Sequence, residues 1–246
     1  MNVYFGMIKM NRQLLVGSDR KHGRYYYWSD NPKKKMYSVS TICHWYDDPI
    51  KAGDAAKIGT LGHYIVLNGL AQKYLGREAT LDIPGDNPYW ASSEEVSQKL
   101  DDIIAMFQQL ELEKVITAID AIEMAVWWEG EIDGVWCSYA GRLDWVARFI
   151  DEKRRLLDLK TGDEYDSYML QMAAYVQAYE FVTGLSIDEV WILYLDVGGY
   201  WNNDTKVYTP RNVDRNPRVV VMDRPLIEEK RKEFNGILKN IYEEMI

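Results

Sequence analysis

A carboxylate and an ammonium group stand two positions apart in the run RLLDLK (155–160), as Asp158 and Lys160. This run has the apolar content of a β-strand, and a second strand-like run, LDWVARFI (143–150), precedes it across a short polar segment. A hairpin of antiparallel strands is therefore predicted. Because side chains alternate along a strand, Asp158 and Lys160 point to one face and the leucines between and before them to the other. Pairing across the hairpin brings Asp144 toward the same face, at a separation set by the register.

Two carboxylates that converge on one spot repel each other unless a cation lies between them, and hard oxygen ligands suit Mg²⁺ or Mn²⁺. Such an ion lowers the pKa of a bound water and neutralises charge on a phosphate, while a neighbouring Lys positions or deprotonates the nucleophile. Phosphodiester hydrolysis requires such an arrangement, so a metal-dependent centre is one interpretation of the pattern. The alternative is a surface hairpin with an ion pair worth about 0–1 kcal/mol, and the D-x-K spacing alone favours that alternative.

Three linked motifs change this balance in favour of a nuclease. The runs GRLD (141–144) and LDLKTG (157–162), followed by Gln171 and Tyr175 in a Q-x-x-x-Y spacing, resemble the PD-(D/E)xK nuclease superfamily. The closest resemblance is to its RecB-like or Cas4-like exonuclease branch, of the compact phage or mitochondrial-genome-maintenance type. A spacing of four residues places Gln171 and Tyr175 on one helix face, from which both can reach the same site.

The resemblance implies roles for individual residues. Asp144 and Asp158 would bind the metal, with the backbone carbonyl of Leu159 as a further ligand, and Lys160 would orient or activate the attacking water. Gln171 and Tyr175 would orient the scissile phosphate or the catalytic side chains. The metal expected is Mg²⁺ or Mn²⁺, as one or two ions.

Two further ligands are expected upstream. The run KIGTLGH (57–63) resembles the family's G-T-x-x-H motif on a helix, which implies that His63 is a metal ligand or its close neighbour. Glu123 lies in a predicted strand, 115–128, where family members often carry a Glu. Its neighbours Ile122 and Met124 are expected on the opposite face, which is consistent with an inward Glu123, although an ordinary edge-strand glutamate stays an equal alternative.

Nucleic-acid contacts are predicted at fewer positions. Ser38, Ser40 and Thr41 either give hydroxyls to a phosphate or cap a helix. A net charge of −9 argues against bulk coating of nucleic acid, but a local basic groove can coexist with an acidic exterior. Candidate groove residues are Arg142, Lys51, Lys57 and the run Lys33–Lys35, for which a solvated loop is the favoured interpretation.

The expected fold is α/β, with a central mixed sheet flanked by helices. The resemblance implies the restriction-endonuclease-like αβββαβ core. With 246 residues and no internal repeat or low-complexity linker, the chain is predicted to form a single domain. Residues 1–50 would be an N-terminal elaboration with a β-hairpin, and 51–246 the nuclease core. Helices are predicted at about 64–76, 93–112, 165–183 and 225–244, and strands at 115–128, 190–196 and 218–222.

Cysteine content and hydropathy narrow the class further. Cys43 and Cys137 are the only cysteines, so no zinc site, disulfide framework or four-cysteine iron–sulfur cluster is expected. No apolar run reaches the ~18–20 residues that span a bilayer, and no signal-peptide core is present. We therefore expect an intracellular protein without membrane contact, in the cytoplasm of its own cell or of a host if it is viral.

The expected activity is a DNA exonuclease in recombination, repair or replication. Its substrate would be DNA with a free end, and its partners a helicase, a recombinase or a single-strand-binding protein, because the chain carries no helicase motif. An endonuclease or junction resolvase on the same site stays open, as does a non-catalytic nucleic-acid-binding module. The sequence also leaves open polarity, single- or double-strand preference, DNA or RNA, and oligomeric state.

Overall fold

The structure, a computed structural model, describes residues 13–19, 23–46, 54–76 and 94–245. Over these ranges the chain is a mixed α/β protein with a central mixed sheet. The helices are α1 (Val39–Cys43), α2 (Asp54–Leu75), α3 (Glu94–Gln109), α4 (Ser167–Thr183) and α5 (Arg224–Glu244), with a 3₁₀ turn at Leu112–Lys114. The strands are β1 (Leu14–Asp19), β2 (Gly23–Trp28), β3 (Asn31–Ser38), β4 (Ile116–Ile132), β5 (Val135–Phe149), β6 (Arg154–Lys160), β7 (Glu189–Tyr194), β8 (Gly199–Asn202), β9 (Val207–Pro210) and β10 (Arg218–Met222).

Eight of these strands form one sheet in the order β1-β2-β3-β5-β6-β7-β10, with β4 paired to β5, while β8 and β9 form a separate hairpin. The pairs β3–β5 and β6–β7 are parallel, and α4 provides the crossover that the parallel β6–β7 pair requires. The long strand β5 pairs with β3 through Tyr139 and Ala140, but with β6 only from Trp145 to Arg148. Residues 141–144 therefore lie where β3 and β6 diverge, and Asp144 is in this gap.

Each face of the sheet has its own apolar core. The core against α1, α4 and α5 includes Leu143, Leu156, Ile192 and Phe234. The core against α2 and α3 includes Leu67, Ile103, Trp145, Leu157 and Leu193. The strand predicted at 190–196 is therefore confirmed as β7, and its neighbouring residues enter opposite cores, so it is buried on both faces.

The hairpin predicted for the two strand-like runs is confirmed. Strands β5 and β6 are antiparallel, with Trp145 opposite Leu157. Leu157 and Leu159 both enter the core on the α2 and α3 side, while Asp158 and Lys160 point toward α4. The alternation of apolar and polar residues was therefore sufficient to predict which side chains face the site.

Other elements agree with the sequence in kind but not always in extent. The strand predicted at 115–128 continues to Ile132. Asp223 caps α5, accepting a hydrogen bond at 3.1 Å from the Leu226 backbone N–H. The loop predicted for Lys33–Lys35 is wrong, because this run belongs to β3, although its side chains are exposed as expected. The β8–β9 hairpin was not predicted. Two candidate groove residues, Lys51 and the side chain of Lys57, lie outside the described residues.

None of the helices in the described ranges has the length and apolar character needed to cross a membrane. The predicted boundary between an N-terminal elaboration, 1–50, and a core, 51–246, stays a prediction. Strands β2 and β3 belong to the same sheet as the catalytic hairpin.

Two glycines of α2 differ in the space around them, and alanine at each position should therefore change stability differently. A Cβ added to Gly62 would lie 2.9 Å from Ile103 Cδ1, whereas a Cβ at Gly69 meets no atom within 4 Å. We expect Gly69→Ala to raise the free energy of unfolding by about 0.5–1 kcal/mol through helix propensity. Gly62→Ala should lose that gain, because fully buried Ile103 must move, at an overpacking cost of about 1–3 kcal/mol. Urea unfolding of both variants measures the difference, and equal stabilisation would contradict the close packing of α2 on α3.

Candidate active site

The alternation of side chains between the two faces of the sheet is interrupted at paired positions of β4 and β5. This interruption places two carboxylates together. On β4, Ile122 packs in the core beside α2 and α3 and Met124 in the opposite core. On β5, Leu143 and Trp145 are likewise in opposite cores. The expectation that Ile122 and Met124 share a face is therefore wrong, because strict alternation breaks at the residue between them.

Glu123 is that residue, and its backbone lies in the left-handed region with φ +50°. The register pairs Ile122 with Trp145 and Met124 with Leu143, which places Glu123 opposite Asp144. A non-glycine residue held in this region inside a strand costs about 1–3 kcal/mol and persists only where the surrounding structure imposes it. Such strain is concentrated at functional sites, and here it directs Glu123 toward the gap that holds Asp144.

The gap brings together three of the predicted metal ligands. One ligand atom each from His63, Glu123 and Asp144 lies within 4.8 Å of the others. The His63 Nδ1 atom is 3.2 Å from Asp144 Oδ2, and the same oxygen accepts a hydrogen bond at 2.8 Å from the Leu159 backbone N–H. The helix α2 thus supplies the imidazole and the β4–β5 pair supplies both carboxylates.

Asp158 and Lys160 form a buried ion pair beside this cluster. The Lys160 Nζ atom is 2.5 Å from Asp158 Oδ2, and Asp158 is only 2% exposed. The surface hairpin considered as the alternative is therefore excluded, because both groups are removed from bulk water. Asp158 is not one of the three residues whose ligand atoms converge, so its predicted contact with a metal stays a prediction.

Helix α4 contacts the pair through the predicted Q-x-x-x-Y residues. Lys160 Nζ donates to Gln171 Oε1 at 3.2 Å, and Gln171 Nε2 donates to the Tyr175 hydroxyl at 3.5 Å. The same ammonium lies 4.6 Å from the centroid of the Tyr168 ring. Tyr175 reaches the site because Gly141 on β5 has no side chain: a Cβ there would lie 2.5 Å from Tyr175 Cε1.

Burial and neighbouring charges shift the pKa values of the cluster in different directions. Burial raises the pKa of Glu123 to about 7, with the Asp144 charge adding to the shift. Burial also raises the pKa of Asp158, against the opposing effect of Lys160. For Asp144, the effect of burial is outweighed by His63, so its pKa is lowered. Burial would lower the pKa values of His63 and Lys160, but the carboxylates outweigh it and raise both.

The donor set fits a divalent cation. An imidazole nitrogen and two carboxylates converge on one spot. Burial raises the pKa of Glu123 and the charge of Asp144 adds to that shift, and a bound cation would oppose both effects. Oxygen-rich sites with one imidazole suit Mn²⁺ or Mg²⁺. His63, Glu123 and Asp144 could hold such an ion. Asp158 and the Leu159 carbonyl stay predicted ligands, since the Leu159 backbone contacts Asp144.

A cleft of about 810 Å³ opens over the cluster. Its lining includes His63, Glu123, Asp144, Leu159, Lys160 and the predicted groove residue Arg142. Arg142 Nη1 lies 3.8 Å from Glu123 Oε2. Three cationic residues of the lining were not predicted, namely Arg24, Lys99 and Arg211. They come from β2, α3 and the segment after β9, so only the tertiary structure brings them together.

The hydroxyl residues predicted to contact nucleic acid have another role in the structure. Ser38 Oγ accepts from the Thr41 backbone N–H at 3.1 Å and caps α1. Thr41 Oγ1 donates to the Arg24 carbonyl at 3.1 Å, and Ser40 Oγ is 3.1 Å from Ser38 Oγ. None of these three belongs to the cleft lining. The capping interpretation accounts for them, and their contact with a phosphate stays a prediction.

Comparisons with known proteins assign no family. No family model and no curated protein matches the chain. Among solved structures, the chain is similar to the one described as the crystal structure of SSO0001, with 10% sequence identity and a TM-score of 0.28. That match covers 81% of this chain and 84% of the other. The proposal below depends on the geometry of the site and on the sequence motifs.

Proposed function

We propose that this protein is a Mg²⁺- or Mn²⁺-dependent DNA exonuclease of the RecB-like branch of the PD-(D/E)xK nucleases. One observation carries the proposal: the Asp158–Lys160 pair is buried at 2.5 Å beside three converging ligand residues. Ordinary surface ion pairs are not arranged in this way, because removing several charges from water is costly unless they serve one another or a bound ion.

The fold supports the same family. In chain order, α2, β4, β5, β6, α4 and β7 follow the αβββαβ arrangement of the family's core, with α3 inserted. The sequence motifs fall on the elements that the family uses, since Asp144 is on β5, Asp158 and Lys160 are on β6, and Gln171 and Tyr175 are on α4.

Each side chain has a role that follows from its contacts. His63, Glu123 and Asp144 would hold the ion, which would supply a water of lowered pKa and positive charge at the phosphate. Lys160 has three N–H donors. Its ammonium forms an ion pair with Asp158 and donates one hydrogen bond to Gln171. The remaining donor can orient the attacking water or a phosphate oxygen, where a fixed positive charge stabilises the transition state.

The cleft supports nucleic acid as the substrate in spite of a net charge of −9. Arg24, Arg142 and Arg211 are all cleft-lining residues, and cationic side chains that neutralise phosphates dominate affinity for nucleic acid. The acidic exterior would confine binding to this cleft. The substrate would be DNA with a free end, and a helicase, recombinase or single-strand-binding protein would be the partner, since unwinding has to come from another protein.

The test of this proposal is cleavage of end-labelled linear single-stranded DNA, linear duplex DNA and covalently closed circles, with Mg²⁺, Mn²⁺ or chelator. We expect metal-dependent loss of linear substrates with circles left intact. Cleavage of the circles would replace the exonuclease with an endonuclease on the same site. Binding of DNA without cleavage of any form would contradict catalysis and favour a binding module.

A further inference from the structure

An exposed aromatic ring lies in the same cleft and has no role in the catalysis proposed above. Tyr165 is 51% exposed and is a cleft-lining residue, as is Tyr168. It lies in the turn between β6 and α4, where its backbone carbonyl accepts a hydrogen bond at 3.0 Å from the Tyr168 N–H. This hydrogen bond to the first turn of α4 fixes the backbone position of Tyr165.

The ring is held beside the catalytic lysine. Tyr165 and Tyr168 meet edge to face, with centroids 5.5 Å apart and an interplanar angle of 89°. The Tyr168 ring in turn lies 4.6 Å from Lys160 Nζ. A chain of two ring contacts thus connects Tyr165 to the ammonium group that would act on the scissile phosphate.

Tyr165 has little to bind within the protein. Among the described residues its ring has one aromatic contact, the edge contact with Tyr168, and its hydroxyl has no hydrogen-bond partner. An edge-to-face pair leaves at least one face of the Tyr165 ring uncovered by Tyr168. Exposed tyrosines are common on proteins, but this one is within the cationic cleft, next to the group that would contact a phosphate.

We propose that the Tyr165 ring stacks on an unpaired base next to the scissile phosphate, so that the reacting end of the substrate is single-stranded. This inference rests on the proposed nuclease function and specifies its substrate. Stacking on aromatic side chains is tolerant of sequence because every base has a π-face. Inside a duplex both faces of a base are covered by neighbouring pairs, so an internal base must leave the stack to reach Tyr165.

The experiment compares the wild type with Tyr165→Ala, Tyr165→Phe and Tyr200→Ala. Tyr200 is the matched control, because it is 68% exposed and lies on β8 outside the cleft lining. Cleavage and, in chelator, binding are measured with single-stranded oligonucleotides in which one abasic site is moved stepwise from the end. Thermal unfolding of each variant shows that the fold is retained.

We expect Tyr165→Ala to lower kcat/KM and affinity about 10- to 100-fold, while Tyr165→Phe and Tyr200→Ala stay within about twofold of the wild type, because a few tenths of a kcal/mol is the ordinary effect of a surface change. One abasic position should lower wild-type cleavage by a similar factor and have little further effect on Tyr165→Ala, since the contact is already lost.

Three outcomes would overturn the inference. The first is unchanged cleavage and binding in Tyr165→Ala. The second is an equal loss in Tyr165→Phe, which would indicate a role for the hydroxyl instead of the ring. The third is equal sensitivity of wild type and Tyr165→Ala to every abasic position. Binding that depends on Tyr165 and on one base, without cleavage under any metal, would support the stacking contact and refute the nuclease function; absence of all binding would refute both.

Discussion

Replacing Lys160 with Met should reduce single-turnover DNA cleavage by about 10³-fold or more, equivalent to about 4 kcal/mol of transition-state stabilisation, while Mn²⁺ still binds. The ammonium contacts Asp158 at 2.5 Å and Gln171 at 3.2 Å but is not one of the converging ligands. Methionine keeps an unbranched side chain of similar length, so the substitution removes the charge with little change in packing. Cleavage by quenched flow and Mn²⁺ binding by calorimetry measure the two properties separately.

Lys232→Met is the matched control, because Lys232 is exposed on α5 and does not line the cleft. It should cleave DNA at the wild-type rate. If Lys160→Met keeps more than a tenth of wild-type cleavage, Lys160 does not act in the chemical step. If Lys160→Met loses both cleavage and Mn²⁺ binding, the role of Lys160 is to hold the metal-binding carboxylates in place.

Replacing Asp144 with Asn should weaken metal binding as well as cleavage, and this difference from Lys160→Met separates the ligand from the catalytic lysine. Asp144 contacts His63 at 3.2 Å and accepts from the Leu159 N–H at 2.8 Å. An amide can still accept from that N–H, but it has no charge to attract a cation or to orient His63. We expect Mn²⁺ affinity to fall at least about 10- to 100-fold, as for other losses around a metal site, and cleavage about 10³-fold or more.

Asp133→Asn provides the control for the same chemical change. Asp133 is in the exposed β4–β5 turn, where its 3.3 Å contact with Lys239 is a surface ion pair worth about 0–1 kcal/mol. This variant should bind Mn²⁺ and cleave DNA as the wild type does. Normal Mn²⁺ affinity in Asp144→Asn would show that the ion, if one binds, lies elsewhere.

The part of the site that could be predicted depends on local periodicity. The alternation of side chains predicts that Asp158 and Lys160 lie on the same face of β6, because Leu157 and Leu159 must be buried on the opposite face. The spacing of Gln171 and Tyr175 gave a shared helix face by the same kind of argument. These are properties of one strand and one helix, so a short sequence window contains them.

The rest depends on contacts between distant segments. Alternation failed at Glu123, where φ +50° reverses the faces of β4 and matches a reversal in β5. No local propensity favours that conformation for glutamate, so only the packed sheet can impose it. Arg24, Lys99 and Arg211 likewise enter the cleft from three separate elements. The Lys33–Lys35 run is a different case, because its strand β3 pairs with the preceding strand β2. There the exposed charge of the run, and not a distant contact, made the loop prediction wrong.

The measurement that tests the central claim most directly is single-turnover cleavage of an end-labelled linear oligonucleotide by the wild type, Lys160→Met and Asp144→Asn, each with Mn²⁺ and with excess chelator. A metal-dependent nuclease centred on these residues predicts product only for the wild type with Mn²⁺. Equal cleavage by the wild type in chelator, cleavage by both variants at the wild-type rate, or no product from the wild type with any divalent metal would contradict it.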